Sequence, residues 1–317
     1  MSRVRIVVVM DPVSTVAGDA DTTFALMREA ERRGHRIEYA QHQDLFAERA
    51  EASARVRRAT CSRETAPPIA LGPPEDVRLR DVDVVLMRKD PPFDDDYLHA
   101  TQILELARGG PLLVNDPRAL REANEKLYAL HFPELMPETL VTSHRDRIDA
   151  FVERVGGLAV IKPLDGKGGE GIFALRTDDP NKNAIVETVT REGRRLAMVQ
   201  RYLPAVREGD KRILLLDGEL LGAILRVPQR GDLRSNIHVG GRVEAAVLDE
   251  ADRRIVAAVG PRLRAAGLVF VGLDVIGGYL TEVNVTSPTG IQQASRLTSQ
   301  NLEEKVIAWL ETNRASR

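Results

Sequence analysis

The run Val160-Ile161-Lys162-Pro163-Leu164-Asp165-Gly166-Lys167-Gly168-Gly169-Glu170-Gly171-Ile172 constrains this chain more than any other segment. It closes an apolar strand with one lysine and then sets four glycines within six residues. Without Cβ atoms a backbone approaches an anion closely and turns its N–H groups toward it, while the lysine supplies a mobile point charge. Gly166-x-Gly168-x-x-Gly171 satisfies the dinucleotide fingerprint, but that motif must open a helix. Here it runs into Ile172-Phe173-Ala174-Leu175-Arg176, which reads as a strand. A Walker A loop is excluded as well, because no Gly-Lys-Ser/Thr ending occurs. What remains is a flap between two strands, of the kind that folds over a triphosphate in kinases. A solvent-exposed hairpin accounts for the glycines alone; Lys162, four residues ahead of Gly166, favours the flap.

The length of 317 residues implies two or three structural units around shared cores, and 43% hydrophobic content is enough to fill them. A formal net charge of -2, from 45 basic and 47 acidic side chains, leaves no electrostatic footprint for nucleic acid or membrane. Cys61 is the only cysteine, so a disulfide framework and a Cys-rich metal site are both excluded. A reducing cytoplasm fits this, as does the start at Met1-Ser2-Arg3-Val4-Arg5, which enters a short strand with no small-residue cleavage region. No apolar run approaches the length of a membrane span. The six histidines show no metal spacing, and no Gly-x-Ser-x-Gly elbow occurs, so zinc hydrolysis and serine-triad chemistry find no support.

Val4 to Met10 is a continuous apolar run, the mark of a strand buried on both faces. A helix is predicted from Thr22 to Arg33, capped by Asp21 and ended by Gly34, before a strand from His35 to Ala40. Strands at Asp83–Met87 and Leu112–Val114 flank a helix near Asp95–Arg108, so residues 1–121 read as an open parallel α/β sheet. Ser53 to Pro74, with its arginines and prolines, reads as an irregular excursion. Beyond residue 121 the style changes: Lys211–Asp217 and Glu219–Val227 sit back to back across Gly218, which implies antiparallel sheet. Helices near Arg145–Val155, Asn181–Glu192, Asp249–Ala266 and Asn301–Thr312 cover it as an α+β body, and a cleft between the lobes is the expected ligand site.

Asp274 lies in the strand Val269–Ile276, and Glu282 and Asn284 share one face of the strand that returns after Gly277-Gly278. Two carboxylates and an amide oxygen suit Mg²⁺, although an edge hairpin with its charges in water gives the same pattern. A plain two-residue turn would put Asp274 opposite Thr281 and turn Glu282 away, so convergence demands an odd-length connection or a bulge. Ser287-Pro288-Thr289-Gly290 can hold a carboxylate at a helix start, or simply cap that helix. Arg226 ends an apolar strand, and Arg234 and Arg242 punctuate the following loop, Val227 to Arg242, which reads as a lid that closes on anions. Gln200-Arg201-Tyr202-Leu203 is a strand exit able to sandwich an adenine, and equally an ordinary strand end. Lys126, by position, reads as a surface helical lysine. Asp11 and Arg88 follow strands of the first sheet, at the edge where open α/β sheets bind ligands.

Seven segments carry a resemblance that runs nearly end to end. They are Met10-Asp11-Pro12, Met87 to Asp94, Asn124-Glu125-Lys126-Leu127, Lys162 to Gly166, Gly209-Asp210-Lys211-Arg212, Val271-Gly272-Leu273-Asp274 and Glu282 to Thr289. Together they resemble the bacterial-type glutathione synthetases of the ATP-grasp superfamily. The resemblance implies an N-terminal pre-ATP-grasp α/β domain over residues 1–121. An α+β ATP-grasp region with antiparallel sheets follows over 122–317, its flap subdomain at about 122–203 and its metal and substrate subdomain at about 204–317. It implies ATP-dependent joining of γ-glutamylcysteine to glycine through an acyl phosphate, with Mg²⁺ or Mn²⁺, in a cytoplasmic homo-oligomer of four chains. By the same carry-over Lys126, Lys162, Gly166, Gly168, Gly169 and Gly171 attend the phosphates, while Gln200, Tyr202 and Leu203 attend the adenine. Asp210 and Arg212 complete the nucleotide site. Asp274, Glu282 and Asn284 hold the metal, and Arg226 and Lys162 act in catalysis. Asp11, Arg88, Arg234, Ser287, Pro288 and Thr289 meet substrate. Departures at Lys167, Glu170 and Gln292-Gln293 leave a ligase for a different amine as the first alternative and a non-catalytic nucleotide-binding module as the second.

Overall fold

The computed structural model describes residues 3–166, 168–228 and 242–314. Its first sheet takes β1 (Arg5–Met10), β2 (Arg36–Ala40), β3 (Leu45–Glu48), β4 (Glu51–Cys61), β5 (Ile69–Arg78), β6 (Val84–Arg88) and β7 (Leu112–Val114). The order is β3-β4-β2-β1-β6-β7, with β5 on β4. β1, β2, β6 and β7 are parallel, and the apolar run of β1 is buried on both faces as a central parallel strand should be. Helices α1 (Thr22–Arg32), α2 (Asp95–Glu105) and α3 (Pro117–Glu122) begin at Asp21, Asp94 and Asp116, whose carboxylates accept from the first free backbone amides.

One expectation fails here. The segment from Ser53 to Pro74 is not irregular; it lies within the antiparallel hairpin of β4 and β5. Ala54 and Val56 point inward while Arg55 and Arg57 point outward, a strand period that the prolines obscured. Pro73 and Pro74 are tolerated because β5 pairs on one side only. The first sheet is therefore mixed, with a parallel centre.

The second sheet is antiparallel, in the order β10-β9-β11-β8. Its strands are β8 (Thr139–Thr142), β9 (Leu158–Pro163), β10 (Phe173–Arg176) and β11 (Ala197–Arg201). Helices α4 (Arg145–Arg154) and α5 (Lys182–Thr190) bury Ile148, Phe151, Val152 and Val186 against Ile161 and Val199. The glycine run is thus the connection of the β9–β10 hairpin, as the strand-like continuation predicted.

The third sheet is also antiparallel, in the order β14-β13-β12-β15-β16. It contains β12 (Asp210–Leu216), β13 (Glu219–Val227), β14 (Arg242–Ala245), β15 (Phe270–Ile276) and β16 (Tyr279–Asn284). Helix α6 (Glu250–Ala266) covers one face and α7 (Ile291–Thr298) and α8 (Leu302–Asn313) the other. The β12–β13 turn rests directly on α6: a Cβ added to Gly260 would meet the Gly218 carbonyl oxygen at 2.2 Å. Only glycine at both positions permits that approach.

The first and third sheets share cores and are tied by a buried amide. Asn115, just beyond β7, donates to the carbonyls of Phe270 (2.9 Å) and Val285 (2.7 Å). Its Oδ1 accepts from the amides of Val269 (2.7 Å) and Phe270 (2.9 Å). Helix α8 closes the same joint from outside, where Glu311 receives Arg33 and His35 at 2.6 Å each.

Candidate active site

A cavity of about 490 Å³ opens where the glycine hairpin faces the third sheet. Strand register builds its floor. In β12, Asp210 and Arg212 are two apart and share a face; β13 sets Arg226 opposite Asp210, and β15 sets Asp274 opposite Arg212. The result is a buried network of alternating charge. Arg212 grips Asp274 with Nε to Oδ1 at 2.5 Å and Nη2 to Oδ2 at 3.1 Å. Arg226 Nη2 reaches Asp210 Oδ2 at 2.5 Å and Asp274 Oδ2 at 3.0 Å. Burial acts to raise the Asp274 carboxyl, but Arg212 and Arg226 overrule it and hold the group well below the usual carboxylate range. Gly272 makes room for this: a Cβ there would meet Arg212 Cδ at 2.9 Å and Pro288 Cβ at 3.1 Å.

The β15–β16 hairpin meets its geometric demand through a bulge. Gly277-Gly278 is a two-residue turn with Ile276 paired to Tyr279 and Val275 to Leu280, but the register then slips and Asp274 pairs with Glu282. Thr281 is the extra residue, and the slip restores the phase. Asp274, Glu282 and Asn284 all line the one cavity as a consequence.

Lys126 is not a surface lysine. It is 4% exposed, donates to the Gly166 carbonyl at 2.7 Å and pairs with Glu282 at 3.0 Å. Asn124 explains the departure from a helix: its Oδ1 accepts from the amides of Lys126 and Leu127, and its Nδ2 donates to the Leu164 carbonyl. The segment therefore bridges the base of the glycine hairpin and β16. Lys162, at the end of β9, is 8% exposed and has neither hydrogen bond nor ion pair with any described residue. Burial lowers its pKa, and the nearby Glu282 charge opposes that only in part. A buried cation with no anionic partner among the described residues, on the wall of a cavity, is poised for an anionic ligand.

Gly166, Gly168 and Gly169 form the roof, with φ of +60° at Gly168 and +86° at Gly169. Gly171, at φ +70°, lies beyond the lining and closes against Pro163, whose Cγ an added Cβ would meet at 2.9 Å. At the far end Val160, Tyr202, Leu203, Val206 and Ile276 make a largely apolar slot able to take a planar base. Gln200 lines it as well, though its side chain donates to Thr139 Oγ1 at 3.0 Å.

Toward the first sheet the expected substrate residues divide. Ser287 and Thr289 line the cavity. Arg88 and Pro288 stand one layer back: Arg88 is buried over the Phe270 ring and donates to Thr23 Oγ1 (3.1 Å) and the Pro288 carbonyl (2.9 Å). No described carboxylate lies within ion-pair distance of it. Asp11 is spent on the chain itself, accepting the Asp90 amide at 2.8 Å and pairing with Lys89 at 2.9 Å. Arg234 and most of the expected lid lie outside the described residues. Gln292 donates to the carbonyls of Gly18 and Asp21 and accepts from Arg63, so it fastens the lobes together. Sequence reading missed Asp90, Glu125 and Thr286 as lining residues. Glu125 had a signal, its place beside Lys126 in the quoted segment.

Two family models match the chain. "Prokaryotic glutathione synthetase, N-terminal domain" covers residues 4–121 and "Prokaryotic glutathione synthetase, ATP-grasp domain" covers residues 125–299. A glutathione synthetase of Gloeobacter violaceus is 50% identical over 312 residues, 96% of each chain. One from Salmonella typhimurium is 46% identical over 292 residues, 92% of each chain. Among solved structures, a D-cycloserine synthetase superposes with a TM-score of 0.65 at 17% identity, covering 96% of this chain and 99% of that one. An ATP-grasp protein from Sphaerobacter thermophilus gives 0.63 at 18% identity, covering 96% and 98%; at such identity the likeness speaks for the fold alone. With relatives this similar along nearly its whole length and family models over both halves, the chain belongs to the prokaryotic glutathione synthetase family.

Proposed function

We propose that this chain joins γ-glutamylcysteine to glycine, using ATP and Mg²⁺ and giving glutathione, ADP and phosphate through an acyl phosphate. The observation that carries the reading is Lys162, a buried cation with no partner among the described residues, beside Lys126 and beneath a glycine hairpin. Phosphoryl transfer asks chiefly for positioning and charge clamping, and a cavity whose lining includes Lys126, Lys162, Arg212 and Arg226 supplies both.

In this reading Lys126, Lys162 and the glycines at 166, 168 and 169 hold the phosphates, while Gly171 closes the loop against Pro163. Gln200, Tyr202 and Leu203 receive the adenine, and Asp210 and Arg212 order the floor. Arg226 steadies the phosphoryl group as it moves to the dipeptide carboxylate. The amine of glycine then attacks the acyl carbon, its C–N bond forming as the C–O bond to phosphate breaks, and exclusion of water protects that intermediate. Arg88, Ser287, Pro288 and Thr289 hold the dipeptide, with Arg234 and Asp11 assigned to the same side from the sequence.

The donor set fits Mg²⁺ or Mn²⁺. Glu282 and Asn284 offer hard oxygen donors on one strand face, and Asp274 adds a carboxylate if it loosens its arginine contacts. Among the described residues no three His, Cys, Asp or Glu side chains form a closed cage. Mg²⁺ does not require one, since it commonly combines one or two carboxylates with substrate phosphates and water. When bound, the ion neutralises phosphate charge.

Phosphate release in a coupled assay tests the reading, with ATP, Mg²⁺, γ-glutamylcysteine and glycine omitted in turn. Turnover needing all four supports it. Faster turnover with alanine or β-alanine than with glycine would move the assignment to another amine, and phosphate release independent of either substrate would reject a ligase. No helix among the described residues is long and apolar enough to cross a membrane. The resemblance extends the reading to a cytoplasmic homotetramer, which fractionation and sedimentation velocity would check.

A further inference from the structure

Glu125 lines the cavity, and every hydrogen bond its carboxylate accepts from a described residue goes to one oxygen. Oε1 takes the Val285 amide at 2.9 Å, the Thr286 amide at 3.1 Å and the Thr286 hydroxyl at 2.8 Å. Its own carbonyl accepts the Val283 amide at 2.9 Å, so backbone and side chain are both fixed to the end of β16. Oε2 accepts nothing from a described residue, and no described lysine or arginine lies within ion-pair distance.

The other carboxylates of the cavity differ. Asp210 and Asp274 are held by arginines and Glu282 by Lys126. Asp90 and Glu170 also lack a cation among the described residues, but no described donor holds their carboxylates in place. Burial pushes the Glu125 carboxyl above its usual range, and the charge of Glu282 pushes the same way against the pull of the Thr286 donors. A carboxylate fixed at one oxygen and bare at the other, on a cavity wall, is a receptor short of a cation.

We propose that Glu125 receives a substrate ammonium group at Oε2 and so selects for the amine-bearing end of a substrate. The inference rests on the ligase reading above. Two of the proposed substrates carry a primary ammonium, glycine and the γ-glutamyl end of the dipeptide, and the chemistry at Oε2 is the same for both.

Glu125→Gln tests it, because a glutamine Oε1 still accepts the three bonds that hold Val285 and Thr286 while the charge is gone. A thermal melt matching wild type would show the turn intact. The expected result is a KM for one ammonium substrate raised roughly 10- to 100-fold, the range of a lost charge-assisted hydrogen bond. The KM for ATP and the Mg²⁺ requirement should hold. A rise for glycine assigns the reacting amine; a rise for the dipeptide assigns the γ-glutamyl ammonium. In the second case glutarylcysteine, which lacks that amine, should serve wild type and variant equally. Glu125→Asp, which keeps the charge, should lie between the two and covers the case in which the glutamine variant does not fold. Unchanged constants for both ammonium substrates, or a change confined to ATP or Mg²⁺, would overturn the proposal. Wild-type turnover on the two substrates is the control: without it the ligase reading itself falls, whereas with it and unchanged constants only the Glu125 assignment falls.

Discussion

Lys162 and Asp274 show two opposite ways of burying a charge. Lys162 has no partner among the described residues, so the folded protein carries its desolvation until an anion arrives. Lys162→Met should therefore cut turnover by about 10²–10³-fold while leaving the melting temperature equal or higher. The sign with pH follows from burial lowering the folded pKa below 10.5: the penalty is full below the folded pKa and vanishes as pH rises toward 10.5. The stability advantage of the methionine variant should shrink over that range in parallel melts, and an advantage that grew with pH would contradict the assignment. Asp274 is the reverse case, a carboxylate matched by two arginines. Asp274→Asn takes the carboxylate from buried Arg212 and leaves Arg226 with Asp210, and should cost about 3–5 kcal/mol by denaturant titration. Because the folded pKa is depressed, the wild-type advantage is full above the unfolded value near 3.8 and fades as pH falls toward the folded value.

At the scale of elements, one residue of phase decides the β15–β16 hairpin. The bulge at Thr281 turns Glu282 to the face of Asp274, and deleting Thr281 would close the bulge while still leaving Asp274 opposite Glu282 in a regular two-residue hairpin. The deletion variant should therefore keep its response to Mg²⁺ in the ligase assay, and a lost response with the sheets retained by circular dichroism would show that the bulge itself, not the phase, positions Glu282. A second test concerns the contact of the β12–β13 turn with α6. Gly260→Ala should gain about 1 kcal/mol in helix propensity. Its methyl would fall 2.2 Å from the Gly218 oxygen, however, and overpacking of that kind costs roughly 1–3 kcal/mol. Net destabilisation is expected in denaturant melts, and a stabilised variant would show that the turn shifts freely.

Across the whole molecule the cavity depends on the first lobe holding its place against the third sheet. Arg88 reaches across from β6 to the Pro288 carbonyl, and Asn115 makes four hydrogen bonds to β15 and the end of β16. Arg88→Ala should raise the KM of the dipeptide more than that of ATP, since the nucleotide side is built from the second and third sheets; the reverse order would reject the substrate assignment. Much of this plan was legible in the chain. The apolar run of β1, the capping aspartates, the Gly218 turn and the glycine hairpin are local patterns whose period or φ requirement is set by adjacent residues, so the sequence by itself determined the elements and their types. The β4–β5 hairpin was not legible, because its alternation is interrupted by prolines that only an edge position excuses. Nor were Lys126 as a buried bridge, Asp11 as a brace, Gln292 as an inter-lobe tie, or the bare oxygen of Glu125. Each depends on which groups lie nearby in space from distant parts of the chain, and burial, pairing and the absence of pairing are properties of that arrangement. The tertiary structure alone decided them, because a charge becomes paired or stranded only when strand register and lobe contact have fixed its neighbours.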